Sequence, residues 1–221
     1  MVNADGTGRR NLTRTEDVSE SVPRWSPDGE LIVYASAAYG VGSIAVMEGD
    51  GTGRRLLVQG EWPDWSSDGQ RIVYTSVEGS EHQQVWVMDS DGSNQRRVTG
   101  DDTLASFEAA WSPDGSRIAF STSRHGNPSA ADPALWNEEV HLMDPDGSGS
   151  RRVTNRLGND HWPPAWSPDS TRLLVTSDGV DKAHPQGFGE IFVVDLGTLD
   201  SIRLTQDPAD DSFPAWRPVG R

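Results

Sequence analysis

Trp25-Ser26-Pro27-Asp28-Gly29, Trp65-Ser66-Ser67-Asp68-Gly69, Trp111-Ser112-Pro113-Asp114-Gly115 and Trp166-Ser167-Pro168-Asp169-Ser170 are one phrase written four times, with a fifth start at Trp216-Arg217-Pro218. Successive Trp residues of this column stand 40, 46, 55 and 50 residues apart. A period in that range, carried by short β patterns, predicts a β-propeller, whose blades each need neighbours to bury their faces. A propeller is a scaffold for many activities, so the repeat speaks to fold and leaves function to other residues.

Each unit runs in the same order: a Trp-Ser-Pro-Asp-Gly turn, a strand, a variable loop, a strand, an Asp-Gly turn and a basic strand. After the Trp turn come Leu31–Ala35, Arg71–Thr75, Arg117–Ser121 and Arg172–Thr176, rich in β-branched and aromatic residues. Ser43–Met47, Val85–Met88, Val140–Met143 and Ile191–Val194 follow, and Arg54–Val58, Arg96–Thr99, Arg151–Thr154 and Ile202–Thr205 close the units. The residues leading into each Trp, such as Pro164-Ala165-Trp166, read as the innermost strand, which makes four antiparallel strands per blade. The Asp-Gly pairs supply residues that tolerate positive φ in tight hairpins. The Asp-x-Asp-Gly stretches at 89–92 and 144–147 read as hairpins too, since their Gly comes too early for a calcium loop and no Glu follows.

Composition sets bounds. The 221 residues carry 34 acidic and 19 basic side chains, a net charge of −15, which argues against nucleic acid and anionic membrane surfaces as partners. With 9 Trp, 23 Gly and 14 Pro, the 34% hydrophobic fraction fits many short strands joined by turns better than disorder. There are no cysteines, so disulfides are excluded. No stretch approaches the roughly 18 apolar residues of a membrane span, and the start shows no apolar signal region. As written, the expectation is a cytoplasmic chain without membrane insertion.

Residues 1–221 read as a single domain. Ser212–Pro218 repeats an innermost strand, while Val2–Thr13 repeats the last turn and outermost strand of a unit. Joined, they predict five blades, the fifth a composite of both ends that closes the ring and removes exposed sheet edges. A fragment of a longer propeller is the competing reading.

Pro214-Ala215-Trp216, the Trp-Ser-Pro-Asp-Gly phrase, Val87-Met88-Asp89-Ser90-Asp91-Gly92 and Arg151-Arg152-Val153-Thr154 resemble the β-propeller repeat of the TolB-like family over nearly the whole chain. The Gly-His and Trp-Asp marks of WD repeats are absent. The resemblance implies a bacterial or archaeal propeller, often exported to the periplasm or beyond, that acts as a binding platform. It also implies kinship with a few lyases that hold a metal through His. No partner-contacting residue of the family can be placed here by motif.

The unequal loops carry the candidate chemistry. Loops leading into the first strands and loops between the second and third strands emerge on one face, and ligand-binding candidates there are Trp62, Trp136, Trp162, Asp101, Asp102, Asp160, Asp210 and Asp211. Trp beside carboxylates suits a sugar- or peptide-binding platform. His82, His125, His161 and His184 lie in the same loops and are candidate metal ligands, although no short fixed spacing ties them. His141 falls in a strand slot otherwise held by Ala45, Trp86 and Phe192 and reads as packed. No catalytic motif is present: no Gly-x-Ser-x-Gly elbow, phosphate loop, dinucleotide glycines or His-Glu-x-x-His.

The sequence therefore supports a monomeric, non-catalytic binding module without cofactor, taking a protein, peptide or neutral polysaccharide. The alternatives are a metal-assisted lyase or hydrolase using the loop His and Asp residues, and a structural propeller fragment with no ligand of its own.

Overall fold

The computed structural model describes residues 1–3, 5–16, 18–38, 41–100, 103–123, 138–154, 160–177, 189–206 and 209–217. They form sixteen strands in four sheets, and no α-helix occurs among the described residues. The first sheet comprises β1 (Ser19–Trp25), β2 (Leu31–Ala38), β3 (Val41–Glu48) and β4 (Arg55–Gln59). The second holds β5 (Glu61–Trp65), β6 (Arg71–Ser76), β7 (Gln84–Asp89) and β8 (Arg96–Arg97). The third holds β9 (Ser106–Trp111), β10 (Ile118–Thr122), β11 (Glu139–Met143) and β12 (Arg151–Arg152). The fourth holds β13 (Asp160–Trp166), β14 (Arg172–Ser177), β15 (Glu190–Asp195) and β16 (Ser201–Arg203). Within each sheet the strands pair antiparallel in sequence order, as the repeat predicts.

The repeated Ser and Asp explain the first turn of every sheet. The hydroxyl of Ser66 donates to Asp68 Oδ1 and accepts the Arg71 N–H at 2.9 Å, while Asp68 accepts the Gln70 N–H at 3.0 Å. The same set joins Ser26 to Asp28, Ser112 to Asp114 and Ser167 to Asp169. These hydrogen bonds favour the ionised carboxylate and hold its pKa below the ordinary Asp value, down to about 2 at Asp169, where Ser167 is the largest contributor. Gly29, Gly69 and Gly115 take positive φ in these turns, and Ser170 does so in the fourth at φ 58°.

The sheets stack through the Trp column. Val33, Ile44 and Val46 of the first sheet pack on Trp65, Ile72, Tyr74 and Met88 of the second. Val73, Val85 and Val87 then pack on Trp111, Ile118, Phe120 and Met143. Ala119, Val140 and Leu142 pack in turn on Trp166, Leu173, Val175 and Val194. The Trp65 indole N–H donates to the Arg24 carbonyl at 3.3 Å, and the Trp166 indole to the Ala110 carbonyl at 3.1 Å. On the ring faces lie Arg71 over Trp111 at 4.8 Å and Arg117 over Trp166 at 5.2 Å.

Both ends join this scheme without adding a strand to any sheet. Trp216 donates to the Ala165 carbonyl at 2.9 Å and lies under Arg172 at 5.1 Å, so residues near Trp216 occupy an innermost position on the fourth blade. At the other end, Leu12 lies against Gly51, as Leu57 lies against Gly92 and Val98 against Gly147. Residues around Leu12 thus take the outermost-strand position before the first blade. Gly6, whose turn would meet the fourth blade in a closed five-bladed ring, has nothing within 4 Å of its Cβ direction. Among the described residues there are four complete four-stranded sheets, and none of them includes residues of either end.

The inner strands start earlier than the sequence reading places them, at Ser19, Glu61, Ser106 and Asp160. Trp62, Asp160, His161 and Trp162 consequently belong to strands, not connecting loops.

Trp111 is 5% exposed and Trp25 47%: Trp111 packs on the second sheet, while among the described residues no complete sheet packs on the Trp25 side of the first. Trp111→Ala should cost about 3–5 kcal/mol, and Trp25→Ala under about 1 kcal/mol. Equal losses in urea unfolding would contradict the stacking scheme.

Candidate functional site

The inner strands share a distortion. Val22, Trp62, Glu108 and Phe213 have φ of 51°, 54°, 54° and 54°, and each stands three residues before its repeat Trp. Left-handed backbone at bulky residues is strained, and here it coincides with bulges in the pairing between Ser21 and Arg24 and between Glu61 and Asp64. Pro23, Pro63 and Pro214 follow three of these residues. Proline has no N–H to lose at a bulge. Such bulges turn side chains inward, and strain of this kind concentrates at functional sites.

The inner strands enclose a central cavity of about 620 Å³, lined by Val22, Trp62 and Phe213 from the bulges and by repeat residues including Trp111, Trp166 and Trp216. Several prolines complete an apolar wall, among them Pro63, Pro164 and Pro214.

One charged pair faces this wall. Residues immediately before the repeat Trp are Arg24, Asp64, Ala110, Ala165 and Ala215, so only two of five carry charge. Arg24 Nε lies 3.7 Å from Asp64 Oδ1, and Asp64 Oδ2 accepts the Trp111 N–H at 3.0 Å. Asp64 therefore ties three blades together at the cavity. Its desolvation outweighs the opposing influence of Arg24 and the Trp111 N–H and pushes its carboxyl up to about 6. The Arg24 side chain is 46% exposed.

The sequence-derived candidates separate. Trp62 lines the cavity. Asp210 instead accepts the Gly189 N–H at 2.6 Å, and the Asp211 N–H donates to the Gly189 carbonyl at 2.7 Å; this pairing anchors the loop before the fifth inner segment. His82 is exposed on the β6–β7 connection. Asp160, His161 and Trp162 lie on β13, placed by backbone alone. Trp136, Asp101, Asp102, His125 and His184 lie outside the described residues. Among the described residues no group of three His, Asp or Glu side chains gathers to hold a metal. His141 is packed as its strand slot implies, 5.7 Å from the Phe120 ring.

Sequence reasoning missed two features. One is the Arg24–Asp64 pair, detectable by comparing the column before the repeat Trp. The other is a buried clip at the outer edge. Thr99, Thr154 and Thr205 accept the N–H of Val85, Val140 and Ile191 at 3.0, 2.8 and 2.9 Å and donate to Gln84, Glu139 and Glu190. Arg152 and Arg203 pair with the two buried glutamates. The clip holds each short outer strand and is structural.

Four antiparallel four-stranded sheets stacked about a central cavity lined by their inner strands define a β-propeller. The chain belongs to the TolB beta propeller domain family, which matches residues 1–132 and 63–186. It is 34% identical over 131 residues to the Tol-Pal system protein TolB of Anaeromyxobacter sp., covering 59% of this chain and 26% of that protein. With the TolB homolog of Chlorobium luteolum it shares 29% over 149 residues, 52% of this chain and 32% of the other. The crystal structure of TolB from Acinetobacter baumannii superposes with a TM-score of 0.73 at 19% identity, over 96% of this chain and 49% of that one, which shows the fold. The chain thus spans about a third or less of the length of these two sequence relatives.

Folded Asp64 holds its proton up to about 6, whereas an unfolded Asp releases it near about 4. The native state therefore binds more protons between those values, and this stabilising contribution, present below about pH 4, is lost as pH rises through about 6. Asp64→Asn should abolish that loss, a wild-type-minus-variant difference of at most about 3 kcal/mol, reduced by partial exposure of the side chain. Urea unfolding of both proteins from pH 4 to 7 checks it; parallel stability curves contradict it.

Proposed function

We propose that the chain is a non-catalytic binding module that takes a protein segment or peptide into its central cavity at Trp62. The carrying observation is the cavity wall: inward-turned Val22, Trp62 and Phe213, several prolines, and one charged pair with a half-exposed Arg24. Aromatic and proline surfaces accept apolar side chains and extended backbone. Arg24 and Asp64 add polar partners for the backbone and charged side chains of such a segment. The net charge of −15 works against anionic polymers. A relative named for the Tol-Pal system supports protein recognition.

The metal-assisted reading has less behind it, since His82 is exposed and the described residues gather no ligand set.

Titration of a cationic, proline-containing peptide and, separately, of cellohexaose tests the reading by fluorescence anisotropy of the labelled ligands. Peptide binding should weaken at least tenfold in Trp62→Ala, equivalent to about 1.4 kcal/mol, while melting is little changed. Binding of the sugar alone, or peptide binding indifferent to Trp62, would overturn it.

A further inference from the structure

Asp64 is costly where it stands. Three of the five residues that precede a repeat Trp are Ala, so the seat needs no charge at that position. At Asp64 desolvation outweighs the influence of Arg24, and the carboxyl keeps its proton up to about 6. The same junction lacks a bond that others have. The indoles of Trp65, Trp166 and Trp216 donate to the carbonyls of Arg24, Ala110 and Ala165, while the buried Trp111 Nε1 finds no acceptor among the described residues. A desolvated carboxylate and a buried donor without an acceptor both weigh against stability. Groups of this kind concentrate at functional sites.

The carboxylate is nevertheless accessible and held in place. Its side chain keeps 24% of its surface exposed and borders the central cavity together with Trp62. Oδ2 accepts the Trp111 N–H at 3.0 Å, whereas Oδ1 has Arg24 Nε at 3.7 Å, too far for a hydrogen bond. Among the described residues Arg24 is the one charged group acting on Asp64. Other charged residues of the strands packed here are engaged elsewhere: Glu20 of β1 pairs with Arg54, Glu61 of β5 lies beside Gly42, and Arg71 of β6 stacks on Trp111. Glu108 of β9 does not border the cavity.

We propose that Asp64 selects the peptide of the central cavity by accepting a Lys or Arg side chain on Oδ1, and that acid releases this peptide. The inference rests on the peptide reading given above. An ammonium or guanidinium makes a charge-assisted hydrogen bond to a fixed carboxylate, and the poorly hydrated wall strengthens it. Trp62 lines the same cavity and supplies an aromatic face for the cation. The net charge of −15 draws cations towards the protein. At neutral pH the ionised Asp64 balances Arg24 and still offers an acceptor. Protonation removes that acceptor and leaves Arg24 uncompensated, so the wall becomes positive and repels the cation of the ligand. Since a bound cation favours ionised Asp64, binding is complete above the pH at which the free carboxyl titrates and is lost below it.

Isothermal titration calorimetry with the acetylated, amidated peptide Pro-Pro-Lys-Pro-Pro and its norleucine counterpart is the test. At pH 7.5 the lysine peptide should bind about tenfold more tightly than the norleucine one. Between pH 7.5 and 5.5 its affinity should fall about fourfold, the loss of ionised fraction for a group titrating at about 6, and the norleucine peptide should show no such fall. Asp64→Asn keeps a carbonyl oxygen for the Trp111 N–H; with its fold verified by circular dichroism, it should bind both peptides alike at both pH values. Trp62→Ala should weaken both. Equal binding of the two peptides that still depends on Trp62, a lysine preference indifferent to pH, or one that survives Asp64→Asn overturns this proposal and leaves the peptide reading standing. Tighter binding of the lysine peptide at pH 5.5 overturns it as well. Binding of neither peptide overturns both.

Discussion

The seating of each repeat Trp on the blade before it carries the architecture. The ring buries a large apolar surface at Trp65, Trp111 and Trp166, the indole N–H of Trp65, Trp166 and Trp216 reaches a carbonyl of the neighbouring inner strand, and an Arg closes over the face of Trp111, Trp166 and Trp216 at 4.8–5.2 Å. The first blade offers Leu31 there, and Trp65 is covered by apolar packing alone. The three contacts together set position, orientation and distance between blades. Trp216 makes the indole hydrogen bond and the Arg contact without belonging to a sheet.

Within a blade, polar groups do the work that hydrophobic area cannot. The Ser–Asp pair satisfies the N–H groups of a turn too tight for ladder bonds. The Thr clip anchors outer strands only two or three residues long to buried Gln or Glu. A buried carboxylate without its Arg and Thr would be costly, so Glu139 and Glu190 are held by several partners each.

Much of this was legible in the sequence because it is local. Trp, Ser, Asp and Gly recur at fixed offsets, and each has a short-range reason to be there. The strand order and the packed His141 followed from the same alignment. What escaped notice depends on partners distant in sequence or on backbone strain. Left-handed φ at Val22, Trp62, Glu108 and Phe213 leaves no mark in residue type beyond the proline that often follows. Glu139 looks like a strand-edge charge until Thr154, 15 residues away, is seen to hold it. Trp62 stood out as a Trp outside the column, which the cavity explains, whereas Asp210 looked like a free loop acid and is engaged by backbone. Arg24 and Asp64 were hidden because Ala fills their place in the other units.

The seat also has a genetic consequence. One Trp-to-Trp stretch encodes an indole for the blade behind and a carbonyl acceptor for the blade ahead. Duplicating or excising a whole stretch in frame leaves each remaining junction with the same kind of Trp seat, apart from the Arg24–Asp64 tie, which is particular to its own blades. Blade number in such a lineage can drift by recombination within the gene, limited only by the curvature at which the inner strands still meet around a cavity.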